Sequence, residues 1–213
     1  MPLDLQISYL NSDQIQPGDI CLKYGDGSGI SKAISFGQNL MQGDLDSGNT
    51  NIVHAGILCD DENIVEAQGD GICINNLHST NKKYGYEVYR CLLTNIAQGA
   101  ATASTIVLDA HKASQNAKYS LAGAVRSLFS TKKGANKSAI DVTIDRLTKG
   151  KKRDFFCSQF VVYCYQLAAE QNGLAAQNMF DLSDTAYSPT KLKDSLFKSS
   201  YFFKAGMLRP GIR

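Results

Sequence analysis

Three residues of types that can carry nucleophilic catalysis lie in apolar runs of this chain: Cys157 in FFCSQFVVYCYQ, His54 in IVHAGILCD and Glu66 in NIVEAQGDG. A thiolate is a nucleophile once an imidazole can take its proton, and a carboxylate beside the imidazole fixes its tautomer and orientation. The chemistry open to such a trio is acyl transfer through a thioester. Each residue also has a plainer reading, so their surroundings have to be weighed.

RDFFCSQFVVYCYQ reads as one buried helix carrying two cysteines, Cys157 and Cys164. Seven residues at about 100° each bring them to nearly the same helix face, roughly 10 Å apart along the axis. Cys164 lies two turns inside an apolar stretch with Val161, Val162, Tyr163, Tyr165 and Leu167. Burial there raises a thiol pKa and leaves it inert. Cys157 stands at the helix start, where unpaired N–H groups and the positive end of the helix dipole stabilise a thiolate and can hold an oxyanion. Position alone leaves a structural cysteine open, and a base has to decide.

The candidates are His54, His78 and His111. His78 falls in a polar loop, NNLHSTNKK, and His111 is expected to be solvated beside Lys112 on an alanine-rich helix. His54 sits within a run that reads as a buried strand, where an imidazole needs polar partners. It could be a core histidine bonded to backbone. Glu66 twelve positions later is also in an apolar strand, where an ionised carboxylate needs a partner. Two neighbouring strands can place the pair side by side.

The elements that would position these residues are legible from pattern. QPGDICLKYG starts at the turn pair Pro17-Gly18 and becomes a strand, and GISKAISFGQNLM reads as a short helix. IVHAGILCD, ENIVEAQGDGICINNL and YGYEVYRCLL follow as three strand candidates joined by short polar turns, which argues for an antiparallel sheet. AQGAATASTIVLDAHKASQNA is helical, SLAGAVRSLF a candidate further helix, and residues 130–153 a polar, basic insertion. The Cys157 helix is expected to run to about Gln171, stopped by Asn172-Gly173. A last short helix should begin near Pro189.

Bulk properties set the frame. At 213 residues, with 43% hydrophobic and 20% charged content, the chain suits a single globular domain over 1–213. A net charge of +2 gives no basis for nucleic-acid binding. MPLDLQISYL lacks the pattern of a signal peptide, and no apolar run reaches the roughly 18 residues of a membrane span. The six cysteines therefore read as reduced thiols, and the expected location is the cytoplasm, or export without a signal peptide. Without a Cys-x-x-Cys or His-x-x-x-His pair, neither a metal nor another cofactor is expected.

Taken together, these stretches resemble the circularly permuted branch of the NlpC-type papain-like superfamily, the YiiX/YebB-like proteins, which share their permuted order with lecithin:retinol acyltransferase-like enzymes. In that order the histidine strand comes first, a polar residue on the next strand second and the cysteine helix last, as with His54, Glu66 and Cys157. QPGDI resembles the opening strand, SKAISFGQ and HAGI the run into the histidine, IVEA the strand of the third polar residue, KYSLAG a Tyr-x-x-x-Gly element, FFCSQFV the nucleophile motif and YSPTKL the element after the helix.

The resemblance implies an α+β papain-like fold, with a central antiparallel sheet packed against the nucleophile helix. It makes Cys157 the nucleophile, His54 the base and Glu66 the residue orienting it, with Tyr119 and Ser158 lining the oxyanion site. The implied activity is amide hydrolysis by a monomeric enzyme on a peptide or cell-wall fragment. An immunity or inhibitor protein would be a partner if the enzyme is a secreted antibacterial effector. Two departures stand out: about 33 residues separate Gly123 from Cys157, and Phe156 stands where cell-wall-cleaving members commonly carry Asp. Alternatives are a lipid acyltransferase, phospholipase or thioesterase with membrane contact, the basic insertion meeting anionic lipid, and a non-catalytic binding module on the same fold.

Overall fold

The computed structural model describes residues 8–25, 52–68, 71–116, 157–180 and 188–211. Their strands are β1 (Tyr9–Leu10), β2 (Ile20–Tyr24), β3 (Ile52–Leu58), β4 (Asn63–Gln68), β5 (Gly71–Asn76), β6 (Tyr86–Cys91) and β7 (Phe202–Leu208). The helices are α1 (Thr94–Asn116), α2 (Cys157–Gln171), α3 (Ala176–Met179) and α4 (Pro189–Lys198), and Ser12–Gln14 form one 3-10 turn. The expected helix over Gly29–Met41, the SLAGAVRSLF helix, the 130–153 insertion and Tyr119 lie outside the described residues.

All seven strands form one sheet in the order β1-β7-β6-β2-β3-β4-β5. The expectation of an antiparallel sheet needs one correction, because β1 pairs parallel with β7. The other neighbours are antiparallel. The run ENIVEAQGDGICINNL is also two strands rather than one, β4 and β5 pairing Gln68 opposite Gly71. The Asp70-Gly71 pair in the middle of that run is the turn signal that separates them. β1 and β7 were not anticipated, since a two-residue strand carries no pattern and YFFKAGML does not alternate cleanly.

The sheet buries both faces unequally. Ile20, Leu22, Ala55, Ile57, Val65 and Ala67 pack with α1 and α2 into the main core, while Cys21, Leu58, Ile64, Tyr86, Val88 and Leu208 form a smaller cluster on the other face. This is the period-2 alternation of a strand. α2 has a buried face wide enough to include Phe160, Val161, Cys164, Tyr165 and Ala168. It ends as expected: Gly173 has φ +78°, its N–H returns to the Glu170 carbonyl and that of Leu174 to Ala169, a Schellman cap. Pro189 opens α4, with the Ser188 hydroxyl accepting from the Lys191 N–H.

Gly18 ties the layers together. Its N–H donates to the Leu58 carbonyl, its carbonyl accepts from the buried Tyr165 hydroxyl of α2, and it adopts φ +92°. A Cβ there would lie 2.4 Å from the Ala97 carbonyl oxygen of α1. Gly18→Ala should therefore lower stability by at least about 2 kcal/mol, from backbone strain and a forced contact. Urea unfolding followed by circular dichroism checks this, and an unchanged midpoint would contradict it.

Candidate active site

The geometry starts with β3. It pairs with β2 along its length, from Ile52 to Ile57, but with β4 only through Gly56, Ile57 and Leu58. The β4-facing edge of β3 is therefore unpaired near Ala55. Strand N–H groups lie in the plane of the sheet, so an acceptor for Ala55 occupies the slot that a β4 residue would otherwise fill. That acceptor is Cys157, whose thiol is hydrogen-bonded by the backbone N–H groups of Ala55 and Ser158. The nucleophile candidate thus starts α2 at the point where the sheet opens.

His54 and Glu66 come together on the sheet face away from α1 and α2. Gly56 stands opposite Glu66, so His54 lies on the diagonal, with Nε2 3.4 Å from Glu66 Oε1. Their contact is an ion-pair approach, and neither atom makes a hydrogen bond of normal geometry. With Nε2 turned to the carboxylate, Nδ1 is the ring nitrogen left for the thiol, to which His54 is also hydrogen-bonded. A side chain on Gly56 would strike Ile64 and Glu66 at 2.7 and 2.8 Å, so glycine here makes room for the carboxylate.

Glu66 is 1% exposed, and its second oxygen accepts from Asn75 Nδ2 at 2.8 Å and Asn81 Nδ2 at 3.2 Å. Burial opposes its charge, yet the facing His54 and the two amides outweigh burial and hold its pKa below the ordinary value. Sequence reasoning missed both asparagines. Asn75 lies on β5 next to the strand of Glu66, and Asn81 is buried in the following turn, where Asn reads only as turn chemistry. A signal was available in retrospect, since a carboxylate in an apolar strand requires neutral donors as well as an ion partner.

The charges follow the same logic. Burial disfavours an ionised His54, but the Cys157 thiolate, and then Glu66, raise the ring pKa above the ordinary histidine value. Burial likewise disfavours the Cys157 thiolate, and the His54 ring with the two N–H groups outweighs it, lowering the thiol pKa. The other five thiols are raised, burial being the first cause for each. Cys157 is alone among the six in being held toward its reactive form.

Ser158 is fully buried behind the nucleophile. His78 sits with Nδ1 3.4 Å from the Pro210 carbonyl oxygen. His111 is not the solvated residue expected: it is half-buried on α1, and its ring lies against Gly71, where a Cβ would come within 2.1 Å of Nε2. Among the described residues no group of His, Cys, Asp and Glu is arranged to hold a metal ion. No family model matches the chain, and no curated protein matches it.

Two measurements check the site. Iodoacetamide should modify Cys157 at least tenfold faster than Cys164 near neutral pH, in the manner of thiols activated by an imidazole and a helix start. Because the Cys157 pKa is lowered, the inflection of its labelling rate with pH should lie below that of an ordinary thiol. Equal labelling of the two cysteines would refute the activation. Asn81→Ala, leaving the Glu66 carboxylate short of a donor, should cost about 1–3 kcal/mol of stability and slow Cys157 alkylation. Unchanged values in both would show that Asn81 does not hold the carboxylate.

Proposed function

We propose that this chain is a cysteine hydrolase of the permuted NlpC-type papain-like kind, cleaving an amide bond through an acyl-enzyme. The observation that carries the reading is the coupling of Cys157, His54 and Glu66, three residues from separate elements, in which one thiol out of six is held toward the thiolate. A purely structural cysteine has no need of such partners.

Each residue has a role in that reaction. The Cys157 thiolate attacks the carbonyl carbon, and the electron pair moves to the oxygen, which becomes an oxyanion near the N-terminal N–H groups of α2. The His54 imidazolium donates its proton to the departing amine as the C–N bond breaks, leaving a thioester on Cys157. The neutral imidazole then takes a proton from water, the hydroxide attacks the thioester, and the acid leaves as the thiolate is restored. Glu66 keeps the ring in place and stabilises its charged form through both half-reactions. The substrate class implied by the resemblance is the stem peptide of bacterial cell wall.

A second reading, acyl transfer or hydrolysis on lipid with the same trio, has one observation in its favour. Phe197 on α4 is 79% exposed beside Lys198, an arrangement suited to a lipid surface. No helix among the described residues is long and apolar enough to cross a membrane.

Incubation with cell-wall fragments, peptide amides and phospholipid vesicles, with products read by mass spectrometry, separates the readings. Amide cleavage should accompany a mass increase on Cys157 equal to the acyl group. On the substrate found, Cys157→Ala and His54→Ala should each lower kcat/KM by about a thousandfold or more, and Glu66→Gln by less. A Cys157→Ala protein as active as the unsubstituted chain would end the proposal, and release of fatty acid alone would favour the lipid reading.

A further inference from the structure

A second feature of the sheet lies beside the candidate active site. Tyr24, Lys82, Lys83, Tyr84, Met207 and Arg209 line an open cleft of about 420 Å³ at the end of the sheet where β2 and β7 finish and β6 begins. That volume is within the range of small-molecule sites. The Tyr24 N–H donates to the Gly85 carbonyl, which fixes the cleft floor to β2. Lys82, Lys83 and Arg209 are exposed at its rim.

The cleft connects to the trio through Lys23. Lys23 pairs directly with His54 across β2 and β3, and with Tyr86 on its other side. Its ammonium lies 3.2 Å from the centre of the Tyr84 ring, and the Lys83 ammonium is 5.0 Å from the same ring. At one strand spacing per step, the near wall of the cleft is roughly 10 Å from His54.

Two ammonium groups drawn to one aromatic ring repel each other, and Lys82 and Arg209 add to the same field. Among the described residues no carboxylate makes an ion pair with any of these four cations. Glu87, which accepts from the Tyr24 hydroxyl, is already paired with Lys193 at 2.9 Å and Lys204 at 2.7 Å. Among the described residues, therefore, the cleft carries positive charge with aromatic walls and no paired carboxylate. Its complement is an anionic group.

We propose that this cleft is a substrate subsite for a carboxylate or phosphate group, about 15 Å from the bond attacked by Cys157, which lies one strand spacing beyond His54. The substrates of the hydrolase would then be acyl compounds with an anionic end. This inference rests on the hydrolase reading for its link to Cys157, but the anion site can be tested without it.

The first experiment titrates the full chain with inorganic phosphate and, separately, with glutarate, at constant ionic strength, following backbone amide resonances. Shifts should centre on residues 82–85 and 209–211 and disappear in the Lys83→Ser/Arg209→Ser protein, whose substitutions are at exposed positions. Absence of saturable shifts for both anions overturns the subsite, whatever Cys157 does. The second compares chloroacetamides of equal length ending in a neutral amide, a carboxylate or a phosphonate. An anionic end placed about 15 Å from the reactive carbon should speed labelling of Cys157 roughly tenfold over the neutral reagent. The ratio should fall to about one in the double variant. The better of the two anionic reagents identifies the group. Fast labelling by iodoacetamide with no preference for anionic reagents would overturn the subsite and leave the hydrolase reading standing.

Discussion

The site depends on holding a carboxylate in a place that disfavours it. Glu66 is almost wholly removed from water, and an isolated charge there would cost several kcal/mol or neutralise itself. Its charge persists because His54 faces one oxygen while Asn75 and Asn81 donate to the other. The arrangement is reciprocal, since the same carboxylate helps keep the imidazole charged against its own burial. Remove either partner and the other becomes an uncompensated buried polar group. The strands around the pair are thus constrained by electrostatics as much as by packing.

The opening between β3 and β4 is the second constraint. A fully paired ladder would have spent the Ala55 N–H on β4, leaving nothing at that height for the thiol. Ending the β3–β4 pairing at Gly56 and Glu66 releases that donor and leaves an edge against which the first turn of α2 can sit. Cys157 consequently receives a strand N–H, a helix N–H and an imidazole at once. The main core supplies the rigidity: α2 is pinned to the Gly18 carbonyl through Tyr165, whose ring also packs edge-on to Phe180 and Phe202. A rigid helix under the nucleophile is what allows small differences in hydrogen bonding to set its ionisation.

How far this was readable from the chain varies with the kind of signal. The limits of α2 followed from Cys157 at its start and the Gly173 cap, both local features, and the α4 start followed from Pro189. His54 and Glu66 were suspicious because each put a polar group in an apolar strand. Their meeting depended only on two adjacent strands forming a hairpin, which is the easiest long-range pairing to infer. Asn75 and Asn81 escaped because their role exists only relative to Glu66. The parallel β1–β7 pair escaped for a similar reason, as it joins residues from opposite ends of the chain with no pattern in two residues to announce it. The cleft was invisible too, since its cations come from the β5–β6 connection and the residue after β7.

A second buried glutamate in the same sheet shows what makes Glu66 different. Glu87 lies on the opposite face of the sheet, on β6, and its pKa is also held low: burial opposes this, and Lys204 and Lys193 outweigh burial. Tyr24 and Tyr89 donate to it as well. Its charge is fully met by two ammonium groups, so it ties α4 and β7 to β6 and has none left to give. Glu66 is met by neutral amides, which orient the carboxylate without cancelling its charge, and its ion partner among the described residues is the titratable ring of His54. Two lysines at Glu66 would have made a stable core and an ordinary histidine beside it. Two asparagines leave the negative charge directed at the imidazole, and through the imidazole at Cys157.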